Sequence, residues 1–251
     1  MMWVKRFFGD LIGAHVDGAR VMLALPWLFG IVVLCEFAQH VVEIRTGFFV
    51  DAATREAVAL DAGRMAFAWP KMALVYIGGF FAIRYLVLGD ARLAMRPSAA
   101  TVARYLPYVA YSLALFVLIF FAGSFLPKDQ VMGFRSVVGL SQVAIEPLLM
   151  LWIVSAATDG PVSGPLRSAR LTGWMYLWAL PIFFIGRLPL NGAHQYFHHL
   201  ALGKSAATVW TLMIIDALMV GLLVAAIPAL YVRIARAIDE RALRRARLAV
   251  A

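Results

Sequence analysis

The chain has one cysteine, few acids and no polar stretch long enough to stand as a soluble domain. Cys35, being alone, forms no intrachain disulfide, so no disulfide framework holds the fold and the redox compartment is not encoded. With 14 Asp and Glu against 23 Lys and Arg, acids are scarce, and each one inside an apolar run needs a partner. A net charge of +9 would raise nucleic acid as a partner in a soluble protein. No motif of that class occurs, and the basic residues gather at helix ends and in the tail RIARAIDERALRRARLAV, so no nucleic-acid partner is expected. A Gly-x-Ser-x-Gly elbow and a phosphate-binding loop are also missing, which removes two common enzyme classes.

What is present is apolar. Hydrophobic residues make up 63% of the 251, and the mean hydropathy of +0.83 lies far above that of soluble domains. A hydrocarbon core about 30 Å thick takes about 20 helical residues to cross, and sustained apolar runs of that length occur at about 21–44, 66–89, 104–126, 131–157, 172–190 and 206–236. The expected fold is therefore all-α, a polytopic protein with six transmembrane helices in one membrane domain spanning 1–251. The longest connections are residues 45–65 and 191–205. The apolar run ending at Cys35 has Leu34 where a cleaved lipoprotein signal needs a small residue, so an uncleaved first span is expected.

Orientation follows from the basic residues. With the N-terminus inside, the cytoplasmic segments carry Lys5, Arg6, Arg20, Arg92, Arg96, Arg104, Arg167, Arg170 and the arginines of the tail. The opposite side carries the smaller set, Arg45, Arg55, Arg64, Lys71, Lys128, Arg135, Arg187 and Lys204. Both termini are thus expected in the cytoplasm, and the Ala- and Arg-rich, Lys-poor usage fits a bacterial inner membrane. Arg84, inside the second span near its inner end, is expected to snorkel to the cytoplasmic interface.

A weak repeat marks the cytoplasmic start of each odd-numbered span: GARVMLALP, VARYLP and SARLTGWMYLWALP. Upstream of each lies a short segment suited to the interface, so three helical hairpins are expected, each preceded by an interfacial helix. The run GPVSGPLRSARLTGWMYLWALPIFF resembles the start of spans in the membrane domain attached to some bacterial glycerophosphodiester phosphodiesterases, and in related six-helix proteins. The match covers about 25 residues. The resemblance implies the six-span plan and no catalysis, since those enzymes keep their active site in a separate soluble barrel for which this chain has no room.

Polar residues inside spans are the candidates for function. In CEFAQHVVEIRTGFF, helical geometry places Glu36, Gln39, His40 and Glu43 within an arc of about 100°, one polar face that Gly47 continues. Glu146 precedes Pro147 in the fourth span, Asp216 lies in the sixth, and Arg187 lies near the outer end of the fifth. The connection after Arg187, LNGAHQYFHHL, would put His194 and His198 on one face if helical, although His198 and His199 are expected in a loop. Four carboxylates, one Arg and several histidines are thereby expected to converge in the outer half of the bundle.

Three readings stay open. The polar face is a structural network that fixes helix packing. Alternatively it walls a cavity for an amphiphile such as a lipid, or for a proton or cation, with Glu36, Gln39, His40, Glu43, Glu146, Arg187 and Asp216 as the binding residues. Or Glu36, His40 and Glu43 join His194 and His198 around a divalent metal ion, structural or hydrolytic, as in a metal-dependent membrane enzyme acting on a lipid.

Overall fold

The structure is a computed structural model that describes the backbone of residues 2–250 and the side chains of residues 4–241. The tail residues Arg244, Arg245 and Arg247 therefore have side chains outside the described set. Eleven α-helices follow one another: α1 (Met2–Ala24), α2 (Pro26–Arg45), α3 (Ala52–Ala57), α4 (Ala62–Ala66), α5 (Ala68–Leu88), α6 (Ala91–Ala94), α7 (Ala99–Phe120), α8 (Lys128–Thr158), α9 (Pro165–Thr172), α10 (Tyr176–Leu200) and α11 (Ala206–Val250). No strand occurs among the described residues. Six helical segments are long and apolar enough to cross a bilayer: Pro26–Arg45, Ala62–Leu88, Ala99–Phe120, Lys128–Thr158, Pro165–Leu200 and Ala206–Arg241. The protein is an all-α, multi-pass membrane protein.

The spans differ from the sequence expectation at their ends. The first does not begin at residue 21. Pro26 has no N–H to donate and its ring crowds the preceding turn, so α1 stops at Ala24 and α2 starts with Pro26 in its first turn. Before the third span the expected interfacial segment RPSAATVAR is not a helix of its own: only the short α6 precedes it, and Ser98 caps α7 by accepting from the Thr101 N–H at 3.0 Å, so Ala99 onward belongs to the span helix. The fifth runs on through the predicted loop. Pro189, Asn191 and Gly192 read as helix breakers, yet α10 continues to Leu200, as membrane helices with no water to solvate a broken backbone often do.

The chain divides into two compact units, residues 1–13, 83–186 and 229–251 in the first, and 14–82 and 187–228 in the second. In the first, α7 packs along α8 and α8 along α9. Ser168, fully buried on α9, inserts its hydroxyl into the α8 ladder one turn after Pro147. It donates to the Leu148 carbonyl at 2.6 Å and accepts from the Trp152 N–H at 3.2 Å, a bond that an unbroken helix would make directly. This gives the SARLT motif a structural role. Arg84, 6% exposed, does not snorkel to water. Its guanidinium donates to the carbonyls of Ala94 (2.8 Å), Ala157 (2.8 Å) and Leu93 (3.1 Å), a rigid donor fork set against the ends of α6 and α8.

In the second unit, α2 ends on Gly47, whose φ of +81° suits a residue without a Cβ. The Gly47 N–H bonds the Ile44 carbonyl at 3.2 Å, and the Phe48 N–H bonds that of Glu43 at 2.9 Å, a Schellman stop. Gly47 thus reverses the chain and does not extend the polar face. Phe48 and Phe49 fold back into a buried apolar cluster with Ala201, Val209 and Met213. Along α11, Gly221 lets that helix approach α2 closely, since a Cβ there would lie 2.7 Å from Val33 Cγ2.

Candidate functional site

Buried positions on α2 are Phe29, Val32, Glu36, Gln39, His40 and Glu43, a stripe at helical spacing that turns from apolar to polar midway. The connection after α2 supplies its counter-charges. Asp51 caps α3 by accepting from the Thr54 N–H at 2.7 Å, and those backbone bonds hold its carboxyl below the usual carboxylate range. Asp61 caps α4 by accepting from the Arg64 N–H at 3.0 Å, which fixes the start of that short helix. Arg64 then donates through Nε to Glu43 Oε1 (2.8 Å) and through Nη1 to the Ala59 carbonyl (2.8 Å), with its guanidinium 4.7 Å from the Phe48 ring centre. One turn into α5, Lys71 Nζ lies 2.6 Å from Glu36 Oε2 and donates to Gln39 Oε1 at 3.1 Å.

Two further helices complete the group. His194 and His198 stand one turn apart on α10, and Asp216 projects from α11. Asp216 is fully buried and faces three imidazoles: His194 Nδ1 at 2.8 Å, His40 Nε2 at 3.0 Å and His198 Nε2 at 3.4 Å, all to Oδ2. His40 Nε2 also lies 3.7 Å from Glu36 Oε1. On its other side, His40 Nδ1 makes a 2.9 Å hydrogen bond to Glu43 Oε2, and Gln39 donates to Glu43 Oε1 at 2.9 Å. Phe48 and Phe49 pack edge-on against the His198 ring, at 6.2 and 5.5 Å between ring centres. The polar group therefore has an apolar cover.

The hydrogen-bond count does not close. His40 Nε2, His198 Nε2 and both oxygens of Glu36 are buried without an aligned hydrogen bond; Lys71 approaches Glu36 closely but obliquely. Because Nδ1 of His40 serves Glu43, a neutral ring presents a lone pair from Nε2 toward the lone pairs of Asp216, a repulsive arrangement unless a proton or cation stands between. Unsatisfied buried groups cost about 1–3 kcal/mol each, so several in one place need an explanation. Buried Glu, His and Asp atoms here are spaced as metal donors are. In each of the sets His40, Glu43, His198; His194, His198, Asp216; and Glu36, His40, Asp216, one atom per residue lies within 4.8 Å of the others. Donors about 2.0–2.1 Å from a tetrahedral ion lie about 3.3 Å from one another, close to the 3.0, 3.4 and 3.7 Å observed.

The structure thus brings Glu36, Gln39, His40, Glu43, His194, His198 and Asp216 together. Glu146 is not among them. It belongs to the first unit, buried, where its carboxylate accepts from Tyr108 Oη at 3.4 Å and makes a shorter hydrogen bond with Tyr231 Oη. Arg187 lies half-buried on α10, and Arg64 and Lys71 are seated on Glu43 and Glu36. Counting basic residues for orientation had assigned both to the aqueous side. The available signal was DAGR, a capping Asp that places an Arg at the mouth of the second span.

Comparison of the chain with protein-family models, with curated proteins and with solved structures gives no match in any of the three.

Proposed function

We propose that this multi-pass membrane protein binds one divalent first-row transition-metal ion, with zinc the leading choice, through His40, His198 and Asp216, and with Glu36 as the fourth donor. One observation carries the reading: a fully buried carboxylate, Asp216, is ringed by imidazole nitrogens at 2.8–3.4 Å, two of which have no aligned acceptor. Two imidazoles and two carboxylates suit zinc and its neighbours, and no thiolate is needed. Glu43 would orient His40 from the far side of its ring, as the carboxylates behind metal-bound histidines do, with Arg64 and Gln39 holding Glu43 in turn. In a bacterial inner membrane with both termini cytoplasmic, Glu36 to Glu43 would lie in the outer half of the first span, so the ion would be taken up from the outer side.

The test is metal content. Protein purified in detergent without chelator, measured by plasma mass spectrometry, should carry about one divalent ion per chain. The His40→Ala/His198→Ala variant should carry none while keeping wild-type helicity and a monodisperse elution profile. Folded wild-type protein that takes up no zinc, manganese, iron or cobalt at micromolar concentrations would refute the reading and return the cluster to a protonated ion-pair network.

A second reading, a metal-dependent enzyme acting on a lipid, is favoured by the Lys71–Glu36 pair at 2.6 Å, a carboxylate with a proton donor beside the proposed metal position. In this reading Glu36 is the general base and not the fourth donor, so Glu36→Gln should abolish phospholipid ester hydrolysis while the ion stays bound.

A further inference from the structure

The group around Asp216 is closed on most sides. Of the residues brought together there, Glu36, Gln39, His40, Glu43, His198 and Asp216 are buried. Phe48 and Phe49, themselves buried, close the side toward His198. Two cations stand at the rim. Arg64 and Lys71, with side chains 25 and 27% exposed, sit on Glu43 and Glu36 and repel a divalent cation that approaches past them. His194 is the remaining member, and its side chain is 21% exposed. Gln195 and His199 lie exposed beside it, so this end of α10 is polar on its outside. Of the three side chains at the rim, the imidazole is the one suited to coordinate a metal ion.

The donor atoms form two overlapping sets. His194 Nδ1 lies 2.8 Å from Asp216 Oδ2 and 3.0 Å from Oδ1, and its ring centre is 4.7 Å from that of His198. His194, His198 and Asp216 are spaced as metal donors are, and so are the fully buried Glu36, His40 and Asp216. We infer that, given the metal ion proposed above, His194, His198 and Asp216 form an outer position where that divalent ion binds first, before it passes to His40 and Glu36. Asp216 and His198 serve both positions, so the ion keeps two protein donors while it moves. The bond to His194 Nδ1 breaks as those to His40 Nε2 and Glu36 Oε1 form. The proton that joined His194 Nδ1 to Asp216 leaves when the ion takes its place, and no electron changes hands. Exchanging ligands stepwise matters here, because an uncompensated charge in a buried, low-dielectric site is very costly. His194 holds the ion on the way and not at the end, so it acts on rate and not on final affinity.

Stopped-flow mixing of the chelator-treated protein in detergent with cobalt(II), followed by ligand-field absorption, tests this. His194→Phe keeps a ring and removes the donor. Association and dissociation should both slow at least about tenfold, with Kd within about threefold of wild type, since a group on the path alters both directions alike. His194→Gln, which still offers an oxygen near Asp216, should slow them less, and it carries the comparison should His194→Phe lose wild-type helicity. His199→Ala, at the same exposed end and outside the group, should leave both rates unchanged. A Kd raised about tenfold or more with faster dissociation would make His194 a resident donor and overturn the proposal, as would wild-type rates in both His194 variants. In either case cobalt binding by the wild type leaves the metal reading standing, whereas wild type without a cobalt band removes both.

Discussion

Arg84 in the first unit and Asp216 in the second are both charged groups buried on membrane-spanning helices, 6% and 0% exposed. Arg84 is surrounded by three backbone carbonyls, and it donates to each of them. Asp216 is surrounded by three imidazoles, two of whose nearest nitrogens lack an aligned bond. Glu146, with two tyrosine hydroxyls, follows the Arg84 pattern, and Glu36, beside Lys71 without alignment, follows the Asp216 pattern. Burying a charge is costly in either place. Where its partners are complete, the charge serves the fold. Where they converge and stay incomplete, as around Asp216, the proposed metal ion would offset the cost.

The comparison can be broken at four points. The largest effect is expected from His40→Ala/Asp216→Asn, which removes two of the proposed donors: metal binding should vanish, while the chelator-treated variant should unfold no more easily than chelator-treated wild type. A variant that loses metal and fold together would place Asp216 with Arg84 as a structural charge. Next comes Arg84→Met, which removes the donor from the carbonyls of Ala94 and Ala157 and should cost about 3 kcal/mol or more, read from equilibrium unfolding in mixed micelles, with metal content unaltered. Glu43→Gln keeps a hydrogen-bond acceptor behind His40 but removes its charge. Metal affinity should fall about tenfold, seen in competition with a chromophoric chelator, at unchanged stoichiometry. The smallest change is Ser168→Ala. The Trp152 N–H can then bond the Leu148 carbonyl directly, so stability should shift by about 1 kcal/mol or less, with a straighter α8 as the structural signature.

Much of the fold is legible because lipid imposes one rule: runs of about 20 apolar residues must be helices. All six such runs in the sequence correspond to membrane-length helices. Helix ends were less legible, since Pro189 and Asn191–Gly192 stop helices in water but not where a broken backbone would face hydrocarbon. In the site, the face formed by Glu36, Gln39, His40 and Glu43 follows from the helical repeat alone and is fully buried or nearly so. Its partners did not follow. Depth along a span puts Glu146 at a level but not beside a particular neighbour, and two tyrosines from distant sequence positions claim it. Lys71 and Arg64 were missed for the opposite reason: a basic residue at a span end ordinarily reaches for water, and here each is drawn inward by a carboxylate on α2.

The proposed metal centre is the imidazole and carboxylate group around Asp216. X-ray absorption at the metal K-edge, on protein reconstituted in lipid and loaded with one equivalent of zinc, tests it most directly. Expected is an all-nitrogen and oxygen coordination shell at about 2.0–2.1 Å with outer-shell scattering from about two imidazoles, lost in His40→Ala/His198→Ala. A spectrum of hydrated zinc without imidazole scattering, from protein shown to be folded, would contradict it.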